Sequence, residues 1–452
     1  MKILLTIHQF LPDFGAGTEI LTLSVARELI ARGHEVIILA GQPNKAALTD
    51  DERFDEYDYG DVHVHRFHHA YSPMGGQSSA IELEYNNSLV ATYFRGLLTE
   101  LKPDLVHFFH FGRLGSALIN EALNFGVPSF FTPTDFWAIC PNGRLTYSDG
   151  TPCNGPTPGA ANCALHLAAQ KLGPLAERLI ARIPDAAGEA AAGLARTNLM
   201  PVTAIRENLR AIKKRLSTNI RRLNDLDQIV APNRMIESRL LQQGVSQAKI
   251  TRAAYGIDLN LSITTRPKIR AEALRIGFIG TLAPHKGCHT LIDAFNALDS
   301  NLAVLKVYGS ELDFPEYAKK LRSKSKSNSS ITFNGTFPNS DISIVFDELD
   351  VLVVPSAWPE NTPLIVYSAQ AAHCPVVASN VPGISETVRH GVDGLLFEKG
   401  NHHDLALCLK RLISDSDFVE QLSANAIPPR STFDYVNDLL RIWGKKRSSD
   451  TF

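Results

Sequence analysis

Lys2-Ile3-Leu4-Leu5-Thr6-Ile7-His8, followed by the loop Phe10-Leu11-Pro12-Asp13-Phe14-Gly15-Ala16-Gly17-Thr18-Glu19, is the stretch on which the fold class turns. The first run has the length and continuous apolar character of a buried strand. The second holds two glycines where a strand would give way to a helix. Beyond it Leu21, Val25 and Leu29 fall on one helical face, flanked by Ile20, Leu23 and Ile30, and Gly33 stops the pattern. Strand, glycine loop and helix in that order open a doubly wound α/β unit. The same opening has the length of a short signal core, but it lacks a small-residue cleavage site and runs into His8 and Gln9, so a first strand is the expectation.

Working outward, further apolar runs occur at Glu35–Ala40, Val62–Phe67, Asp104–Phe109 and Val127–Phe131, with Val62–Phe67 alternating as an edge strand does. The pattern restarts at Arg275. Strands are expected at Arg275–Ile279, Ala303–Tyr308, Ile331–Asn334, Val351–Val354, Val376–Ala378 and Leu395–Phe397, with helical segments between most of them. Continuous apolar runs separated by helices predict parallel sheets covered on both faces. The expected organisation is an N-terminal domain over residues 1–258, a linker over 259–274, a second domain over 275–430 and a C-terminal helix over 431–452 that packs back on the first domain. The two doubly wound domains are expected to face each other across a cleft, with ligands at the carboxyl ends of the strands.

The composition fits this. A chain of 452 residues suits two or three domains, and 44% hydrophobic with 20% charged residues can bury sizeable cores. Lys and Arg total 45 against 47 Asp and Glu, a net charge of −2, which excludes a globally basic nucleic-acid binder. Six cysteines are too sparse for a disulfide scaffold, so a cytoplasmic location is the default. A helical insert is expected over about 164–245. Within it Arg206, Arg210, Lys213, Lys214, Arg215, Arg221 and Arg222 stand against one acid, Glu207. That run suggests peripheral contact with an anionic membrane surface; a solvated helix face is the plainer reading.

Several segments could carry chemistry. Gly15 and Gly17 let backbone amides approach an anion at a helix start. Gly280-Thr281-Leu282-Ala283-Pro284-His285-Lys286-Gly287 is a second strand-to-helix loop, whose lysine could neutralise a diphosphate as a point charge. Pro355-Ser356-Ala357-Trp358-Pro359-Glu360-Asn361-Thr362-Pro363-Leu364 follows a strand, with Pro363 suited to the first helical turn. Its amides could hold a phosphate or sugar oxygen, and Glu360 could accept hydrogen bonds from sugar hydroxyls or only complement the helix dipole. His107 and His110 end one strand of the first half and Asp135 follows the next; Asp135 could orient an acceptor hydroxyl or cap a turn. Cys140, Cys153, Cys163 and His166 would suffice for a structural Zn²⁺ site, though their spacing is not a standard pairing and buried thiols are the alternative. Cys288, Cys374 and Cys408 read as core.

Taken together, these residues resemble a GT-B glycosyltransferase of family 4, the retaining, nucleotide-sugar-dependent group. The resemblance rests on Phe10 through Glu19, Tyr255-Gly256-Ile257-Asp258, Ile279-Gly280-Thr281-Leu282 with Lys286-Gly287, Pro355 through Glu360, and the tail Pro375-Val376-Val377-Ala378-Ser379 with Gly383, Glu386 and Asp393-Gly394-Leu395-Leu396-Phe397. It implies that the C-terminal domain binds the nucleotide sugar and the N-terminal domain a glycan or lipid-linked acceptor, in surface polysaccharide synthesis, with no cofactor and no catalytic metal. Lys286 would sit on the donor diphosphate. Glu360, the first glutamate of the family's E-x7-E element, would contact the donor sugar. Gly15 and Gly17 would close over the phosphates. His110 and Asp135 would serve the acceptor side, and Gly280, Thr281, Asn361, Thr362, Pro363, Leu364 and Ser368 complete the expected donor site. Three positions depart from the family pattern: Ser368 replaces the second glutamate, Thr281 replaces a basic residue, and Thr134 replaces the histidine before the aspartate. These departures favour a subgroup with rearranged contacts, the alternative being a weakened nucleotide-sugar-binding scaffold of the same fold. A Rossmann oxidoreductase is discounted: no full G-x-G-x-x-G follows the first strand, and no acid closes the second.

Overall fold

The computed structural model describes the chain except residues 45–46, 71–72, 148–150, 174–175, 177–178, 181, 198–202, 260–271, 299–301 and 448–452. It resolves into two compact units, Met1–Ala254 with Val436–Phe452, and Tyr255–Tyr435. Most of the expected linker lies outside the described residues.

The first unit is built on eight strands: β1 (Lys2–Ile7), β2 (Glu35–Pro43), β3 (Phe54–Tyr59), β4 (Val62–His69), β5 (Leu105–Phe108), β6 (Ser129–Phe131), β7 (Gln228–Ala231) and β8 (Ile250–Arg252). Their order is β3-β4-β2-β1-β5-β6-β7-β8, and all pair in parallel except β3 with β4. The order reverses at β1, between β2 and β5, so the crevice at the carboxyl end of β1 is the switch point where such sheets bind ligands. The helix Gly17–Ala31 turns Leu21, Leu23, Val25 and Leu29 inward. Val62–Phe67 is not the edge: β4 runs to His69 and is shielded by β3, whose mixed sequence Phe-Asp-Glu-Tyr-Asp-Tyr carries its acids outward as an edge strand should.

The segment expected to be helical over 164–245 contains the helices Ala161–Leu172, Asp185–Ala195, Thr203–Asp225 and Arg234–Gln242, but β7 interrupts it. Nor is the basic run one charged face. Arg215 and Arg222 are buried, and Arg222 donates to the Tyr85 carbonyl at 2.9 Å and to Ser116 Oγ at 3.1 Å. Arg210 donates to the Arg196 carbonyl at 2.8 Å, leaving Lys213, Lys214 and Arg221 as the exposed cations of that helix's second half. Buried carbonyls here accept from guanidinium groups, which meets the hydrogen-bonding needs of both when they are taken out of water. Among the described residues no helix is long and apolar enough to cross a membrane.

The second unit has six parallel strands: β9 (Leu274–Ile279), β10 (Ala303–Tyr308), β11 (Ile331–Gly335), β12 (Val351–Val354), β13 (Val376–Ser379) and β14 (Gly394–Phe397). Their order is β11-β10-β9-β12-β13-β14, the doubly wound arrangement with its switch point between β9 and β12. Both faces are covered. Val351 and Val353 enter one apolar cluster with Ile276 and Leu291, while Leu352 and Val354 enter another with Val366 and Ile384. That period of two explains why β12 is apolar throughout. At the opposite end from the switch-point crevice, Asp350 is fully buried and paired with the Arg275 guanidinium at 2.6 Å, so the N-terminal ends of β9 and β12 are pinned together.

Candidate active site

The carboxyl ends of β9 and β12 place the two expected donor residues side by side. Lys286 closes a short 3₁₀ turn, Pro284–Lys286, and Gly287 follows with φ of +74°. A Cβ on Gly287 would lie 1.8 Å from the Pro355 carbonyl oxygen, so only glycine lets the lysine loop press against the end of β12. Across that contact Lys286 Nζ lies 2.7 Å from Glu360 Oε1. The same oxygen accepts from Ser356 Oγ at 2.7 Å and from Trp358 Nε1 at 2.8 Å. Burial pushes the Glu360 carboxyl up, but the Lys286 ammonium and these two donors outweigh it and hold it below the ordinary carboxylate range. Lys286 also stands 5.4 Å from the centroid of the Trp358 ring. Glu360 Oε2 makes no hydrogen bond among the described residues, so one ionised oxygen is left to receive a hydroxyl.

The residues after Glu360 are held under strain. Thr362 is 3% exposed and has φ of +38°, a region that a β-branched residue seldom enters. Asn361 Nδ2 donates to Tyr255 Oη at 3.0 Å, which ties the 360–363 loop to the Tyr255-Gly256 motif. Pro363 is the residue before the helix Leu364–Ala371, not inside its first turn; its extended conformation feeds the chain into the helix, whose first amides have no partner within the helix. Ser368 lies one turn further on, and its Oγ donates to the Leu364 carbonyl at 3.2 Å. Gly280 ends β9, its amide bonded to the Tyr308 carbonyl at 3.1 Å, and the Thr281 carbonyl accepts from Ala283 at 2.8 Å.

In the first unit the strand ends converge on a second cluster. His110 Nδ1 accepts the Gly112 amide at 2.8 Å, so the ring hydrogen falls on Nε2, which donates to Asp135 Oδ2 at 3.1 Å. Asp135 Oδ1 accepts the Trp137 amide at 2.7 Å. Gly143, at φ +72°, must be glycine here, since a Cβ would stand 2.6 Å from Asp135 Oδ2. Thr134 Oγ1 donates to the Phe109 carbonyl at 3.2 Å. Gly15 and Gly17 are exposed, and Gly17 begins its helix with no side-chain cap.

Three residues of this cluster escaped the sequence reading. The ring of His8 lies 4.1 Å from that of His110, and His8 Nε2 is 3.5 Å from Glu19 Oε1. Arg113 donates to the His8 carbonyl at 2.8 Å. Burial, reinforced by His110 and Arg113, holds His8 well below the ordinary histidine range. Burial raises the Glu19 carboxyl above the ordinary carboxylate range, against the hydrogen bonds that lower it. The signals were present: His8 ends β1 at a switch point, and Glu19 is an acid at an uncapped helix start. Both looked like ordinary strand-end and dipole residues.

The cysteine group is less convergent. Cys140, Cys153, Cys163 and His166 line one small cavity, but their donor atoms are not drawn together as a bound set would be. All six cysteines are free thiols; Cys288 and Cys374 are buried and Cys408 partly so.

Comparison with known proteins bears on the family and the fold. A family model described as "Glycosyl transferase 4-like domain" matches residues 16–191, and one described as "Glycosyl transferases group 1" matches residues 263–427. The putative glycosyltransferase YtcC of Bacillus subtilis (strain 168) is 28% identical over 228 residues, covering 45% of this chain and 56% of YtcC. The D-inositol 3-phosphate glycosyltransferase of Stackebrandtia nassauensis is 30% identical over 186 residues, covering 38% of this chain and 42% of that protein. The chain thus spans about half the length of these curated relatives. Among solved structures, Anabaena Alr3699/HepE in complex with UDP and glucose superposes with a TM-score of 0.62 at 16% identity, covering 98% of both chains. That likeness establishes the fold as GT-B. With both family models on one chain, in the order of the two units, the protein belongs to the group 1, family-4-like glycosyltransferases.

Proposed function

We propose that this chain is a retaining glycosyltransferase that moves a hexosyl group from a nucleotide sugar to a glycan or lipid-linked acceptor, in surface polysaccharide synthesis on the cytoplasmic side. The observation that carries this reading is the Lys286–Glu360 pair at the carboxyl ends of β9 and β12. The bond to break joins the anomeric carbon to the diphosphate. As it lengthens, negative charge grows on the β-phosphate, and the Lys286 ammonium with the nearby helix-start amides stabilises it. Glu360 Oε2 accepts from a sugar hydroxyl, fixing the ring while positive charge develops on it. The acceptor hydroxyl attacks on the face the diphosphate leaves, and its proton passes to a phosphate oxygen. His110 and Asp135 orient the acceptor. Peripheral contact with an anionic surface rests on Lys213, Lys214 and Arg221.

Thermal-shift and product-release assays against UDP-, GDP-, ADP- and TDP-sugars test this. UDP-glucose comes first, because HepE is described with UDP and glucose. Saturable stabilisation by one nucleotide class, with release of its diphosphate when acceptor is present, is expected. No binding at millimolar donor would overturn the reading. A binding-only scaffold is the second reading, favoured by Ser368, whose hydroxyl is spent on the Leu364 carbonyl and does not replace a carboxylate. Donor binding without transfer or hydrolysis would select it.

A further inference from the structure

Outside the transferase machinery, the first unit gathers three thiols and an imidazole around one cavity. Cys140, Cys153, Cys163 and His166 line it with Asn142 and Tyr147. Two structural devices deliver them. An isolated antiparallel bridge pairs Thr146 with Pro152, and the Cys153 amide donates to the Leu145 carbonyl at 2.8 Å, which sets Cys153 beside the turn that follows Cys140. The helix Ala161–Leu172 then presents Cys163 and His166, three residues apart on one face, from its first turns. Asn162 joins the two devices, its Nδ2 donating to the Gly155 carbonyl at 3.0 Å while its Oδ1 accepts the Cys163 amide at 2.8 Å.

Polar groups lie against two of the sulfurs. The Gly155 amide points at Cys153 Sγ at 3.4 Å, and Cys140 Sγ donates to Asn142 Oδ1 at 2.8 Å. Amides aimed at sulfur are the outer-shell pattern that orients metal-bound cysteines. Arg215 is 3% exposed, donates to the Trp137 carbonyl and lies 4.6 Å from the centroid of the Trp137 ring, with no carboxylate within 4.0 Å among the described residues. Three thiolates and a neutral imidazole around a divalent ion carry a net charge of −1, the complement of that guanidinium.

We propose that Cys140, Cys153, Cys163 and His166 form a tetrahedral structural site for Zn²⁺ in the acceptor unit, binding the ion with release of the three thiol protons. Binding closes four donors that line the cavity without yet converging, and calls for side-chain rotation at the cysteines. The site stiffens the 140–153 loop. That loop holds Asp135 in place through Gly143, whose carbonyl accepts the Phe136 amide at 3.1 Å. The inference is independent of the transferase reading, because its test reads metal content and not activity. Among the described residues the group that does bring three donor atoms within 4.8 Å is a different one, Glu56, His63 and His65 on the edge hairpin. There Glu56 is exposed and His63 half-buried, and His63 Nδ1 is 2.8 Å from Asp58. The chemistry differs as well, since thiolates select Zn²⁺ more strongly than an exposed carboxylate and imidazoles do.

Metal analysis of the full chain, purified under reducing conditions from zinc-supplemented cells, tests the proposal. About one zinc per chain is expected. Replacement by Co²⁺ should give a thiolate-to-cobalt charge-transfer band and intense tetrahedral d–d bands. Cys153→Ser should lose the metal. Should that variant fail to fold, His166→Cys serves instead: it should keep the metal and strengthen the charge-transfer band. Wild-type protein without stoichiometric zinc and without a thiolate band on adding Co²⁺ would overturn the proposal. So would zinc that persists in Cys153→Ser but disappears in His63→Ala.

Discussion

Lys286–Glu360 in the second unit and His8–Glu19 in the first are both pairs of titratable groups at the carboxyl end of a central strand, yet burial acts on them in opposite ways. Glu360 takes three donors on one oxygen and keeps its charge; its partner is an ammonium 2.7 Å away. Glu19 sits 3.5 Å from a histidine that burial, reinforced by His110 and Arg113, discourages from protonating, so acid and base are both driven toward their neutral forms. The difference teaches that burial alone does not set ionisation; the count and charge of the donors do. In the proposed function the first place meets a diphosphate and the second meets neutral hydroxyls.

The strongest blow to this contrast is Lys286→Ala. Loss of the cation should lower kcat/KM by about 10²–10³-fold. It should also leave Glu360 as an unpaired buried charge, at a cost of about 3–5 kcal/mol in unfolding free energy. The double variant Lys286→Ala/Glu360→Gln should recover most of the stability and none of the rate. A double variant that regains activity would move the diphosphate site elsewhere.

Asp135→Asn comes next and sharpens the division of labour. It disturbs the His110–Asp135–Gly143 arrangement, and misplacing an acceptor can cost about 10²-fold in transfer. Donor binding by calorimetry should stay unchanged. Lost donor affinity would break the assignment of this cluster to the acceptor.

The smallest effects are in pH dependence. Glu19 has a raised folded pKa, so its contribution to stability is full below the ordinary carboxylate range and is lost as pH rises through the folded value. Glu19→Gln should therefore flatten the alkaline side of a stability profile by up to about 1.4 kcal/mol per pH unit across that window. Histidines run the other way. Burial lowers His107 to about 3 and His69 to about 4, helped at His69 by Arg113 and Arg53. Their contribution is full above the ordinary histidine value and is lost as pH falls toward those values, again at about 1.4 kcal/mol per pH unit for each. Denaturant unfolding from pH 7 to pH 5 reads this slope, and a flat profile would contradict the burial.

Against these tests, the second unit was the more legible in sequence. Most of its strands are largely apolar runs between loops, and Lys286 and Glu360 follow strands β9 and β12 closely enough for strand order to bring them together. The first unit was harder to read. β3 is mostly polar because it is an edge, and β7 and β8 are short runs inside helix-rich sequence. Arg215 and Arg222 read as surface charge because their partners, backbone carbonyls, leave no trace in side-chain chemistry. The histidine cluster joins residues 8, 19, 110, 113 and 135, a grouping made by the sheet crossover and not by local spacing.

The most direct measurement is a crystal of the protein soaked with the nucleotide sugar that stabilises it best. The account predicts the diphosphate within hydrogen-bonding reach of Lys286 Nζ, with a sugar hydroxyl on Glu360 Oε2. A diphosphate bound away from the carboxyl ends of β9 and β12 would contradict it.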